Sequence, residues 1–174
     1  MAPAVRMFAE LRQEGLPLEL LTGGSTGTYN IDPELNAMTE LQVGSYVFMD
    51  VDYRRIGGRS GALYDDFRPA LTVLATVISK SYRDSATVDA GFKAFATDRK
   101  FGPELKDVTG VEYGWGGDEH GILKLVNPSR AIERGDRLEF IVPHCDPNVN
   151  LYDRLIGVRG DRVESTWPVA RGYG

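Results

Sequence analysis

Only two histidines occur in the 174 residues, and each has an aspartate two positions away. In Pro143-His144-Cys145-Asp146-Pro147, an extended backbone from Val142 to Asp146 would put His144 and Asp146 on one face and Cys145 on the other. An imidazole beside a carboxylate suits a divalent cation of borderline hardness, zinc or manganese. Two protein ligands do not close a structural site, so water or substrate would complete the sphere, as at a catalytic metal. The plainer reading is that His144 caps a strand end and Asp146 starts a turn. The other histidine lies in Asp118-Glu119-His120-Gly121, a loop opened by Trp115-Gly116-Gly117. Asp118 and His120 can form an acid–base pair, but such residues also build ordinary surface loops unless this one meets His144 in space. A third candidate is Gly23-Gly24-Ser25-Thr26-Gly27-Thr28, whose backbone N–H groups and hydroxyls can cradle a phosphate. It lacks the lysine of a nucleoside-triphosphate loop and the βαβ unit of a dinucleotide fingerprint. A cofactor monophosphate after the last strand of an α/β barrel suits it better; a plain turn is the alternative.

The elements that must position these groups fall into two parts. Pro3 to Glu14 predicts a helix with Val5, Phe8 and Leu11 on one face and Gly15 at its end. Leu16–Thr22 predicts a short strand, and Asp32-Pro33-Glu34 a helix start. From Glu40 the period changes to two. Strands are expected at Leu41–Met49, Ala70–Ser79, Thr87–Thr97, Val108–Tyr113, Gly121–Val126, Arg137–Val142, Leu155–Val158 and Val163–Thr166. Gly135-Asp136 and Gly160-Asp161 resemble hairpin turns. Asp89, Gly91 and Lys93 would share one face of their strand, and Tyr46, Phe48, Phe92 and Phe95 would point into the core. The expected fold class is mainly β: a C-terminal β-barrel or sandwich domain preceded by the last α/β segment of a larger architecture.

Composition narrows the function. A 42% apolar and 26% charged chain is an ordinary globular one. Its net charge of −5, with no basic run, argues against nucleic acid as partner. No segment is apolar for long enough to span a bilayer, and charges at Arg6, Glu10, Arg12 and Glu14 interrupt any signal-peptide core. With one cysteine no intrachain disulfide can form, which fits a reducing cytoplasm.

Taken in order, these pieces resemble the C-terminal part of the D-threonine aldolase and D-serine dehydratase family, pyridoxal-phosphate enzymes related in fold to bacterial alanine racemase. The resemblance covers nearly the whole chain. It rests on the glycine loop, on Glu40-Leu41-Gln42-Val43-Gly44-Ser45-Tyr46-Val47-Phe48-Met49-Asp50, and on Asp89-Ala90-Gly91-Phe92-Lys93. It rests further on Asp118-Glu119-His120-Gly121, on Pro143 to Pro147 leading into Asn150-Leu151-Tyr152-Asp153, and on Trp167-Pro168-Val169-Ala170-Arg171-Gly172.

The resemblance implies that residues 1–36 are the end of a truncated (β/α)8 barrel binding pyridoxal 5'-phosphate, and that 37–174 form the family's β domain. Gly23, Gly24, Ser25 and Thr26 would hold the cofactor's phosphate, and His144 and Asp146 a divalent metal. Asp118 and His120 would lie near that metal as proton-transfer groups. Dehydratases of the family pair the histidine with a cysteine two residues on and use zinc. Asp146 occupies that place here, which resembles the aldolase branch and manganese, with zinc as the alternative. The implied activity is cleavage of D-3-hydroxy-amino acids, D-threonine yielding glycine and acetaldehyde, by a homodimer. Dehydration of D-serine or D-threonine and a catalytically silent metal-binding module are the alternatives. The Schiff-base lysine would lie upstream, since Lys80, Lys93, Lys100, Lys106 and Lys124 all fall in the β domain. By this resemblance the chain alone is inactive.

Overall fold

The computed structural model describes residues 2–35, 38–58 and 61–172. Helix α1 (Ala2–Gln13) half-buries only Val5, Phe8 and Leu11, the three residues that its period places on one face. Gly15, at φ +90°, ends it. The strand expected at Leu16–Thr22 shrinks to β1 (Thr22–Gly23), because its one partner is the equally short β2 (Glu40–Leu41), to which it pairs in parallel. Tight helical turns occupy Thr26–Thr28 and Asp32–Leu35 between them. The expected boundary between residues 36 and 37 lies outside the described residues.

The strand expected at Leu41–Met49 also stops at Leu41. Ser45–Val47 coil into a turn, and the N–H of Tyr46 goes to Thr26 Oγ1 at 3.0 Å instead of to a ladder. Tyr46 is 43% exposed and so is not the core residue expected. Asp50 then caps α2 (Val51–Arg54).

The body of the molecule is one antiparallel sheet made from β3 (Thr72–Tyr82), β4 (Ser85–Val88), β5 (Glu104–Leu105), β6 (Val111–Trp115), β7 (Gly121–Leu125) and β8 (Arg137–Ile141). Its order is β5-β8-β3-β4-β7-β6, and the edges β5 and β6 come back into contact, so the sheet is a nearly closed barrel. Burial alternates along β7 and β8 as period 2 requires, with Leu123, Leu138 and Phe140 inward. Each such side chain contributes about 1.5–3 kcal/mol on burial. Phe95 fills the interior edge-on to Tyr113 and Phe140, at ring-centroid distances of 5.7 and 5.9 Å. The sheet bears out the mainly β, barrel-like class.

Two local expectations fail. The chain leaves the sheet after Val88 instead of continuing to Thr97, because Asp89 Oδ1 turns back onto Thr76 N–H (2.6 Å) and residues 91–97 fold into turns. Asp89, Gly91 and Lys93 therefore share no strand face, and Phe92 lies on the surface, stacked on Trp115 at 4.8 Å. Gly135-Asp136 is a turn but closes no hairpin, since β7 and β8 are not neighbours. After β8 comes α3 (Cys145–Val149), and β9 (Arg154–Arg159) and β10 (Arg162–Pro168) form a separate hairpin around Gly160. Among the described residues no helix is long and apolar enough to cross a membrane.

Candidate metal and cofactor sites

His144 and Asp146 meet, but not as strand neighbours. β8 ends at Ile141, His144 occupies the N-cap position of α3, and Asp146 lies in its first turn. The helical turn brings His144 Nε2 to 3.4 Å from Asp146 Oδ2. Two ligands each about 2.1 Å from one ion are about 3.4 Å apart at a tetrahedral angle and about 3.0 Å at a right angle. The pair is thus spaced to share a cation with little movement. Among the described residues no group of three or more His, Cys, Asp or Glu side chains is arranged to hold an ion.

The imidazole is oriented from behind. Asp98 Oδ2 lies 2.7 Å from His144 Nδ1, which assigns the proton to Nδ1 and leaves the Nε2 lone pair facing Asp146. Arg99 places one guanidinium nitrogen 3.5 Å from that same Nε2, while its Nε donates to Asp52 and its other nitrogen to Asp98, both at 2.8 Å. Asp98 and Arg99 escaped sequence reasoning: they stand more than forty positions from His144, and no local spacing marks them. Cys145 is buried, and burial, with Asp50 and Asp146 nearby, pushes its thiol up to about 12.

The glycine loop is built from its own polar groups. Gly24 has φ +79°, and a Cβ there would meet Asp32 Oδ2 at 2.7 Å, so only glycine fits. Asp32 is buried and accepts the Thr28 hydroxyl at 2.6 Å; Thr28 Oγ1 in turn accepts Ser25 N–H at 3.0 Å. Thr26 is fully buried, its Oγ1 accepting Tyr46 N–H and its carbonyl accepting the Tyr64 hydroxyl at 2.7 Å. With the Ser25 N–H already spent on Thr28, a phosphate would meet the backbone of Gly23, Gly24 and Thr26 and the half-buried Ser25 hydroxyl, while the Thr26 hydroxyl faces inward. The loop fits the group through its backbone, with the Asp32 carboxylate behind it as the unfavourable charge.

Asp118 and His120 sit in the β6–β7 hairpin loop. Phe92 and Lys93 donate backbone N–H groups to Gly117 and Asp118 carbonyls (3.1 and 3.0 Å), and Lys93 pairs with Glu119. Residues 94–99 of the same segment bond instead to Asn148, Tyr152 and His144. Among the described residues no hydrogen bond or ion pair joins the hairpin loop to His144 or Asp146. Lys106 and Lys124 pair with Glu139 and Glu112 across the sheet.

Comparison with known proteins follows the same line. Residues 70–158 match the family model described as "Putative serine dehydratase domain". The 3-hydroxy-D-aspartate aldolase of Paracoccus denitrificans (strain Pd 1222) is 39% identical over 167 residues, covering 94% of this chain and 42% of that protein. The crystal structure of D-threonine aldolase from Filomicrobium marinum matches with a TM-score of 0.84 at 36% identity, over 95% of this chain and 44% of the other. D-threo-3-hydroxyaspartate dehydratase from Delftia sp. HT23 matches with a TM-score of 0.71 at 27% identity, over 99% and 49%. The chain thus spans less than half the length of these relatives. With half of its residues in the family model and its fold shared almost end to end, the chain belongs to the D-threonine aldolase and D-serine dehydratase family, whose C-terminal part it matches.

Proposed function

We propose that this chain is the C-terminal portion of a pyridoxal-phosphate- and divalent-metal-dependent lyase that cleaves D-3-hydroxy-amino acids, D-threonine giving glycine and acetaldehyde. The observation that carries the proposal is the His144–Asp146 pair, 3.4 Å apart with Asp98 fixing the imidazole. When bound, the metal supplies a Lewis acid for the substrate hydroxyl and the pyridoxal ring an electron sink. His144 offers Nε2 and Asp146 a hard oxygen, a donor set that takes manganese or zinc, and the resemblance to the aldolase branch points to manganese. The backbone of Gly23, Gly24 and Thr26 and the Ser25 hydroxyl hold the phosphate, and Asp118 and His120 move protons once substrate bridges the two loops. Among the described residues no lysine bonds to the glycine loop; the chain alone is taken as inactive, with the rest of the protein supplying that group. A homodimer is part of the proposal. The apolar surface of the β9–β10 hairpin supports it, with Ile156, Val158, Val163 and Trp167 all more than half exposed.

Dehydration is the second reading, and the Delftia relative supports it. Against it stands Asp146, which holds the place of the dehydratase branch's cysteine ligand, while Cys145 lies between the two candidate ligands and is buried. The test is His144→Ala in the protein carrying its upstream barrel, with metal content and products measured together. Loss of metal and of metal-stimulated turnover, with cofactor absorbance intact, is expected. Asp146→Cys should move preference toward zinc. Wild-type metal content in the Ala variant would remove His144 as a ligand. Ammonia and a 2-oxo acid instead of glycine and aldehyde would establish the dehydratase. Metal binding with no product would leave the silent module.

A further inference from the structure

An N-cap residue ordinarily spends its side chain on the first N–H groups of its own helix. His144 occupies that position in α3 and makes no such bond. Its imidazole is instead turned to Asp98 and Asp146. The first N–H of the helix is held from 95 positions away: Asp50 Oδ2 accepts the Cys145 N–H at 2.8 Å. Asp50 Oδ1 accepts Tyr53 N–H at 2.9 Å, so one fully buried carboxylate caps α2 and α3 together. The backbone beside it continues the brace. Val51 N–H donates to Val142 O (3.0 Å) and Asp52 N–H to Pro143 O (3.1 Å), fastening the two residues before His144. Helices of four and five residues have no stability of their own, so such external bonds decide whether the turn between His144 and Asp146 forms.

We infer that Asp50 is the positioning residue of the metal pair: by holding the first N–H of α3 it sets the turn that brings Asp146 to the imidazole. This rests on the metal reading above and adds to it a residue that need touch neither ion nor substrate. Asp50 closes the Glu40–Asp50 stretch, whose Tyr46 N–H bonds Thr26 of the glycine loop, so the same stretch fastens both candidate sites.

The test is Mn2+ binding, followed by the electron paramagnetic resonance of free Mn2+, with circular dichroism and thermal unfolding of the metal-free protein alongside. Asp50→Asn keeps shape but turns an NH2 toward one of the two N–H donors. Cys145→Pro removes the N–H at α3 and with it the thiol that donates to Asp146 Oδ2 at 3.3 Å, whereas Cys145→Ala removes the thiol alone; proline suits a first helical position, and His144 (φ −147°, ψ 123°) already has the backbone that precedes it. Both variants should bind Mn2+ about 10–100-fold more weakly, the loss typical when a group orienting a ligand is removed. Cys145→Ala, which keeps the N–H, should bind as the wild type does. A folded Asp50→Asn or Cys145→Pro variant with wild-type affinity overturns the inference, even with a lowered melting temperature. Should Asp50→Asn not fold, Cys145→Pro decides alone. The underlying reading fails separately, if wild type binds no Mn2+ or His144→Ala binds it equally well.

Discussion

Gly91→Ala separates two accounts of the segment from Asp89 to Thr97, because they predict opposite signs. On a strand through Thr97, alanine would replace a glycine that packs nothing, and stability would rise by about 0.4–1 kcal/mol from reduced freedom of the unfolded chain. In the turn observed, the glycine lies against the hairpin-loop backbone. An added Cβ would sit 2.5 Å from His120 N, 2.8 Å from Asp118 O and closer still to Gly117 O. All three are main-chain atoms and cannot swing aside as a side-chain tip would. The two N–H bonds from Phe92 and Lys93 to that loop would be lost, at about 0.5–1.5 kcal/mol each. Overpacking adds about 1–3 kcal/mol. The expected loss is about 3 kcal/mol, read from urea unfolding at constant m. Amide exchange at Phe92 and Lys93 should quicken while that of the β3–β8 ladder keeps its order of protection. Stability at or above wild type, with unchanged exchange at those amides, would refute the close approach and with it the placement of Asp118 and His120.

Two further outcomes follow from the glycine loop. Thr26→Ala should cost about 0.5–1.5 kcal/mol in urea unfolding, because the part-buried Tyr46 N–H loses its acceptor, whereas Thr26→Ser keeps the oxygen and most of the stability. Tyr64 ionises only at about 12, raised from 10.0 by burial and then by the Asp66 charge. Its folded value lies above its unfolded one, so its contribution is intact below pH 10 and is lost as pH climbs from 10 toward 12. Urea unfolding at both ends of that window should show a smaller alkaline loss in Tyr64→Phe than in wild type; an equal loss would assign the slope to other groups.

What the sequence made legible divides by the range of the forces involved. Period-2 burial in Gly121–Leu125 and Arg137–Ile141 is a local pattern enforced by one buried face, and both strands stand within a residue of where the pattern puts them. The pairing of His144 with Asp146 was legible from type and spacing, yet for a geometry the chain does not adopt. Pro147 biases Asp146 toward extended backbone, and the local signal for a strand was sound. It is overruled by Asp50, whose carboxylate on the Cys145 N–H stabilises the helical turn from 95 positions away. The same holds for Asp98 and Arg99, which orient His144 across gaps of 46 and 45 residues. The expected strand Thr87–Thr97 failed beyond Val88 for a related reason: a glycine in an apolar run reads as a weak strand residue until the loop it must touch is known. Residue identity therefore named the chemistry, while long-range hydrogen bonds decided the backbone on which it is mounted. In this chain three such bonds, from Thr26, Cys145 and Arg99, converge on the stretch from Tyr46 to Asp52, and Tyr46 and Asp50 belong to a part of the family resemblance to which sequence reasoning had assigned no functional task.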